Sequence, residues 1–219
     1  SDPLALLPVT DRFIYLQEGD LVQLSGAGQI AIFNAEGQPV ERPAQLFEHG
    51  DGVASKGEYR HFMLKEIHEQ PRVVAATLEG RLSEKAVLPE CFGPRAETLF
   101  AEVRQVHIVA CGTSYHAGLV ARYWLERYAG IPVQVEVASE YRYRSVVVPE
   151  NTLFVTLSQS GETADTLAAL RFAREQHGYL ATLAICNVPG SSLVRESDLT
   201  LMTQAGPEIG VASTKAFTT

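Results

Sequence analysis

From residue 106 onward the chain alternates short apolar runs with stretches of helical spacing, and this alternation restricts the possible fold more than any other feature. Val106, Ile108, Val109 and Ala110 form one run, and Leu153, Phe154, Val155 and Leu157 form another. Their length and their β-branched and aromatic content predict buried strands. Leu157 is therefore expected inside, where truncation to Ala would leave a cavity costing about 2–5 kcal/mol. Further strands are predicted over residues 133–138 and 179–186, with a short last one over 199–202. Helical patterns fill residues 115–128 and 164–176, with a polar helical piece around 140–144. Repeated strand–helix–strand order implies an α/β fold with a parallel sheet covered on both faces.

Two strand ends in this series carry hydroxyl-rich loops. Ser158-Gln159-Ser160-Gly161-Glu162-Thr163 lies between a strand and a helix. There the first backbone N–H groups of the helix lack intrahelical partners, and the helix dipole adds partial positive charge. An anion fits such a place. The loop has no Lys or Arg, which argues against a nucleoside triphosphate and leaves a monophosphate, held by Ser158, Ser160 and Thr163 with backbone N–H groups. Taken alone, S-x-S-G-x-T is more often a cap and a turn than a site. A second loop, Cys111-Gly112-Thr113-Ser114, changes the balance. In a parallel sheet both loops emerge on one edge, where ligands bind at the point of strand-order reversal. One loop would take a phosphate and the other the hydroxyls of an attached sugar. Asn187-Val188-Pro189-Gly190-Ser191-Ser192 is a third loop following a strand.

Composition narrows the partners. With 219 residues and 46% hydrophobic content the chain can bury a proper core. Its formal net charge of -8 disfavours nucleic acid, which needs a basic face. No apolar run approaches the roughly 20 residues that span a bilayer, and the chain reads as cytosolic, with no membrane partner. The three cysteines, Cys91, Cys111 and Cys186, fit neither a disulfide framework nor a zinc site, and are expected to be reduced. A catalytic role for Cys111 is conceivable, but a small buried residue at a strand end is the stronger reading. His61 and His68, seven apart on a helical pattern, read as a solvated stripe, and no metal is expected.

The first quarter has a different texture. Residues 13–33 break into short apolar runs separated by turn residues and predict an antiparallel meander, the end of a larger β-containing domain. Residues 34–57, rich in Gly and Pro, read as turns and an interdomain connection. Residues 60–82 have a helical pattern with Phe62, Met63, Ile67, Val73, Val74 and Leu78 apolar, and Pro71 predicts a kink or a break into two helices. The resulting division is 1–48 as one domain, 49–59 as a linker and 60–219 as a second domain.

The loops quoted above, together with Glu208-Ile209-Gly210-Val211-Ala212-Ser213-Thr214-Lys215, carry a family resemblance. The chain resembles the glucosamine-6-phosphate synthases, the isomerising glutamine:fructose-6-phosphate amidotransferases. The likeness includes residues 1–19, similar to the end of that family's glutaminase domain, and Tyr59-Arg60-His61 with Lys65-Glu66-Ile67, where its isomerase part opens. S-Q-S-G-E-T is shared by sugar-isomerase (SIS) domains more widely. G-V-A-S-T-K with N-V-P-G-S-S is more specific.

The resemblance implies a flavodoxin-like αβα sandwich, a SIS domain, preceded by a β-rich remnant of an Ntn-type glutaminase domain. It implies that Ser158, Gln159, Ser160 and Thr163 hold the phosphate of fructose 6-phosphate or glucosamine 6-phosphate. Thr113, Ser114, Val211 and Ser213 then approach the sugar. No cofactor is implied. The family's glutaminase nucleophile, Schiff-base lysine, enolisation carboxylate and ring-opening histidine have no counterpart in residues 1–219, so no catalytic residue is assigned and the 219 residues alone are expected to be inactive. Glu208 and Lys215 are read as binding or structural groups. The parent enzyme implied is a homodimer whose remaining glutaminase part and second SIS domain lie outside this stretch. The rival readings are a sugar-phosphate-sensing SIS module of a regulator and a scaffold domain without a ligand site.

Overall fold

A computed structural model describes residues 9–26, 28–46, 55–176 and 178–219. The chain divides into two compact units, Ser1–Gly57 and Glu58–Thr219. Residues 1–8, the start of the glutaminase-like stretch, and residues 47–54, which include most of the expected linker, lie outside the described residues.

The first unit contains two small antiparallel sheets. β1 (Arg12–Ile14) pairs with β5 (Ala44–Leu46), and β2 (Leu21–Leu24), β3 (Ile30–Phe33) and β4 (Pro39–Val40) form the other sheet in that order. The meander is thus only partly as expected, because β1 leaves β2 to pair with a strand thirty residues on. Nor are residues 34–57 merely turns. Pro39 is accommodated because β4 is an edge strand, where a missing N–H removes no ladder bond. Asn34 closes the β3–β4 turn by accepting from the N–H groups of Glu36 and Gln38. Arg42 forks onto Asp20 through Nε and Nη2 at 2.8 and 2.9 Å.

The second unit is built on a five-stranded, wholly parallel sheet in the order β10-β9-β8-β6-β7, with β6 Gln105–Ala110, β7 Val133–Val137, β8 Thr152–Ser158, β9 Ala181–Cys186 and β10 Leu199–Met202. This is the doubly wound order 2-1-3-4-5. The chain runs from β6 outward to β7, then returns to the other side of β6 as β8, so strand order reverses between β6 and β8. Side chains alternate between the faces. Val106, Ile108, Leu153 and Val155 pack with Ala96 and Leu99 of α2 (Ala96–Glu102) and with Ala121 of α3 (Gly112–Trp124). Val109, Phe154 and Ala184 pack on the other face with Tyr141 of α4 (Ala138–Tyr141), Leu170 of α5 (Ala164–Glu175) and Leu193 of α6 (Ser192–Glu196). No helix among the described residues is long and apolar enough to cross a membrane.

α1 (Phe62–Leu78) differs from its sequence reading in two ways. It continues through Pro71 as one helix, so there is no break. Its buried residues are Glu66, Val73 and Thr77, whereas Met63, Ile67 and Leu78 are 38%, 43% and 46% exposed. The reason is its neighbour: α1 packs on α7 (Lys215–Thr218) and on the irregular chain before it through polar groups.

A buried polar chain crosses the α4–α5 face. His107, on β6, is 2% exposed. Its Nε2 lies 2.9 Å from Glu136 Oε1 and its Nδ1 lies 2.8 Å from the Tyr179 hydroxyl. A carboxylate can only accept, so Nε2 carries the hydrogen and Nδ1 accepts from Tyr179, whose oxygen lies 2.9 Å from the Tyr141 hydroxyl. Burial holds His107 below its usual 6.5, outweighing the Glu136 carboxylate beside it. Burial works to raise the Glu136 carboxyl, but Arg144 and His107 keep it below its ordinary range.

The unfolded chain therefore takes up a proton at His107 at higher pH than the folded one, and stability falls as pH drops below about 6.5. Urea unfolding at pH 7.5 and 5.5 should show this loss, at most about 1.4 kcal/mol per pH unit for one group. His107→Gln should remove that share of the slope. If variant and parent lose stability in parallel across the window, His107 is not responsible.

Candidate sugar-phosphate site

A cavity of about 340 Å³ opens at the C-terminal ends of β6 and β8, where the strand order reverses. Cys111, Gly112, Thr113 and Ser114 come to it from the β6–α3 loop. The β8–α5 loop supplies Ser158, Gln159, Ser160 and Thr163. Val211, Ala212 and Ser213, from the irregular chain between β10 and α7, form a third wall. All eight residues assigned on sequence and resemblance thus line one cavity. Leu157 and Thr166 line it too. No lining side chain is acidic or basic, so an anion here would meet dipoles rather than counter-charges.

The β8–α5 loop is shaped by its own hydroxyls. Ser158 Oγ accepts from the N–H of Gly161 at 3.0 Å, and Ser160 Oγ accepts from the N–H of Glu162 at 3.2 Å. Each hydroxyl keeps its hydrogen to donate. Thr163 is the N-cap of α5 in extended conformation, and its side chain makes no capping bond. The first amides of α5 are orphan donors by geometry. Asp165, in that first turn, is taken up by Arg142 Nη1 at 2.8 Å. Thr166 Oγ1 reaches Cys111 Sγ at 3.8 Å and joins the two loops.

The third loop does not line the cavity; it supports the first. The Ser192 N–H donates to Glu162 Oε1 at 2.7 Å, the Leu193 N–H to the Gly161 carbonyl at 3.1 Å, and the Asn187 N–H to the Gln159 carbonyl at 3.3 Å. Gly161 has φ +66, and a Cβ there would lie 2.1 Å from Ser191 Oγ and 2.8 Å from Cys186 Sγ. Glycine is therefore required twice, by conformation and by space. The Glu162 carboxylate points to the start of α6 and so does not compete with an anion.

Glu208 and Lys215 do not line the cavity and are engaged within the fold. Glu208 caps the last helix, accepting from Ser213 Oγ at 2.6 Å and from the N–H groups of Thr214 and Lys215 at 2.9 Å. Lys215, 3% exposed, places Nζ 2.6 Å from Glu69 Oε2. Cys111, Cys91 and Cys186 are free thiols, and Cys111 is only partly buried, facing the cavity. Leu157 likewise is not the interior residue expected. It is half-buried at the cavity floor, so its truncation tests the site as much as the scaffold.

The family model of the SIS domain matches residues 99–219, more than half of the chain. The chain belongs to the SIS domain family. It is 68% identical, over all 219 residues, to a glutamine–fructose-6-phosphate aminotransferase (isomerizing) of Pseudomonas syringae pv. tomato, and it covers 36% of that protein. It thus spans about a third of the length of the curated relatives it matches. Among solved structures, the C-terminal domain of glucosamine-fructose-6-phosphate aminotransferase from Francisella tularensis aligns with a TM-score of 0.71 at 55% identity, over 75% of this chain and 46% of that one. A glucosamine-6-phosphate deaminase from Thermotoga maritima aligns with a TM-score of 0.57 at 25% identity, over 72% of this chain and 44% of that one.

Of the five lining residues of this SIS domain that sequence leaves unassigned, Gly112 and Ala212 lie inside the quoted loops, and the others are Thr166, Cys111 and Leu157. Thr166 carries a usable signal, because it stands three residues after Thr163 and so on the same helix face. Cys111 and Leu157 close their apolar runs, a place that predicts an interior side chain rather than a cavity wall. The tie between Glu162 and Ser192 carries no local signal at all.

Gly161→Ala should lower stability by about 1–3 kcal/mol through backbone strain, and more through the clash with Ser191. Gly190, at φ +72 with nothing within 4 Å of where a Cβ would stand, is the control for strain alone. Denaturant melts should rank Gly161→Ala clearly below Gly190→Ala. Equal costs would show that the packing on Ser191 is unimportant.

Proposed function

We propose that this chain is the first sugar-phosphate-binding SIS unit of an isomerising glutamine–fructose-6-phosphate aminotransferase, with the Ser1–Gly57 unit belonging to its glutaminase part. The substrate moiety held here is fructose 6-phosphate, or the product glucosamine 6-phosphate. One observation carries the reading: Ser158, Ser160 and Thr163 converge with the start of α5 in a charge-free cavity at the strand-order reversal. Such a place takes a phosphate monoester through hydroxyl and amide donors without a lysine. The whole-length identity to aminotransferases supports it.

In this reading Ser158, Gln159, Ser160 and Thr163 bind the phosphate, and Thr113, Ser114, Val211 and Ser213 bound the sugar. None of the lining residues is a carboxylate, histidine or lysine, so the task of these residues is to bind and orient. Proton transfer and amino transfer fall to other parts of the parent enzyme. Its homodimeric assembly is taken from the family resemblance, and its cytosolic location is the expectation read from the sequence. A regulator's sensing module is less well supported, because the match to aminotransferases runs through residues 1–57 as well.

Titration calorimetry on the 219-residue chain tests the reading. Glucosamine 6-phosphate should bind and glucosamine should bind far more weakly. Ser160→Ala loses a hydroxyl bond to a charged oxygen, about 1.5–3 kcal/mol, and should weaken binding roughly tenfold to a hundredfold. Its stability should change by less than about 1 kcal/mol, since the Ser160 hydroxyl bonds only an exposed loop amide. Unchanged affinity in Ser160→Ala, or equal affinity for unphosphorylated glucosamine, would contradict the proposal.

A further inference from the structure

The wall containing Val211, Ala212 and Ser213 belongs to a stretch with no regular secondary structure, between β10 and α7. Two side chains from one face of α1, Thr77 and Glu66, hold that stretch, and a third, Glu69, holds the first residue of α7. Thr77 Oγ1 accepts from the Gln204 N–H at 2.9 Å. Glu66 Oε1 accepts from the N–H groups of Ile209 and Gly210 at 2.6 and 3.0 Å. Glu69 Oε2 receives Lys215 Nζ at 2.6 Å. Glu66, Glu69, Val73 and Thr77 follow one another by three, four and four residues, which places them along a single helical stripe.

Glu66 is the member whose bonds end closest to the cavity wall along the chain, one residue before Val211. It is 2% exposed. Its second oxygen, Oε2, is buried without a hydrogen-bond partner. Burying a carboxylate with one oxygen unpaired costs free energy that an apolar residue would avoid. The backbone of Gly210 approaches it closely, since a Cβ there would sit 2.5 Å from Oε2. A helix facing a loop needs no carboxylate merely to pack. What this one supplies is an anchor for two consecutive amides immediately before the wall.

We propose that Glu66 is a positioning residue for the sugar side of the cavity: through the amides of Ile209 and Gly210 it sets where Val211–Ser213 stand, and so governs affinity for the sugar moiety but not for the phosphate. This rests on the sugar-phosphate reading of the cavity. The phosphate loop is held independently, by Ser158, Ser160 and the tie from Glu162 to α6, hydrogen bonds that involve no residue of α1. Glu66 itself does not line the cavity.

The test uses the 219-residue chain with two probes, glucosamine 6-phosphate and inorganic phosphate, and two variants. Glu66→Ala should bind glucosamine 6-phosphate about tenfold more weakly while its affinity for inorganic phosphate stays within about twofold. Glu66→Gln keeps an oxygen that can accept from both amides and should stay within about threefold of the parent for both probes. Amide hydrogen exchange supplies a readout that needs no ligand. In Glu66→Ala the amides of Ile209 and Gly210 should exchange faster, and those of Gly161 and Glu162 should not change. Equal loss of both probes, no loss of either, or unchanged exchange at Ile209 and Gly210 overturns the role of Glu66. A parent chain that binds neither probe overturns the sugar-phosphate reading instead, and the exchange result then decides alone whether Glu66 holds the wall.

Discussion

The close approach of Gly161 to Ser191 and Cys186 is the constraint on which the site depends. At φ +66 the main chain turns back on itself just after β8, and the space a side chain would fill is occupied by the start of α6. That contact brings the β8–α5 loop within reach of two further ties, from Ser192 to Glu162 and from Leu193 to the Gly161 carbonyl. Once the loop is pinned on that side, Ser158 and Ser160 can commit their oxygens to loop amides and leave their hydrogens outward. The parallel ladder does the rest. Register between β6 and β8 sets Ala110 against Leu157, so the two hydroxyl loops leave the sheet at the same level.

Charge is managed by direction. A chain with a formal net charge of -8 would be a poor host for a phosphate if its carboxylates faced the cavity. The acidic residues closest in sequence to the site are each turned to another task. Glu162 takes the Ser192 amide, Asp165 pairs with Arg142, and Glu208 caps the last helix. What remains toward the cavity is a set of hydroxyls, amides and small apolar groups, with no carboxylate to repel an anion.

The fold of the second unit is legible in the sequence because strands buried on both faces leave nearly continuous apolar runs, and residues 106–110 and 153–157 are such runs, broken only by His107 and Thr156. The two hydroxyl loops are legible for a related reason: small polar residues at one strand end can be a cap or a turn, but their recurrence at a second strand end of the same sheet points to a shared ligand. Legibility fails where the partner is far along the chain. The apolar residues of α1 suggest one packing face, yet its buried stripe is Glu66, Val73 and Thr77, because it faces polar chain more than 120 residues away rather than the sheet. The pairing of β1 with β5 is invisible because three-residue strands thirty residues apart leave no periodic trace. Leu157 misleads by its place at the end of an apolar run, where the strand interior gives way to the cavity floor.

Amide resonances of the 219-residue chain, titrated with glucosamine 6-phosphate, report most directly on where a sugar phosphate sits. The largest shifts are expected at residues 158–166, where the phosphate meets the loop and the first turn of α5, with a second group at Thr113 and Ser114. Shifts concentrated at the opposite, N-terminal edge of the sheet, or confined to the Ser1–Gly57 unit, would contradict this placement.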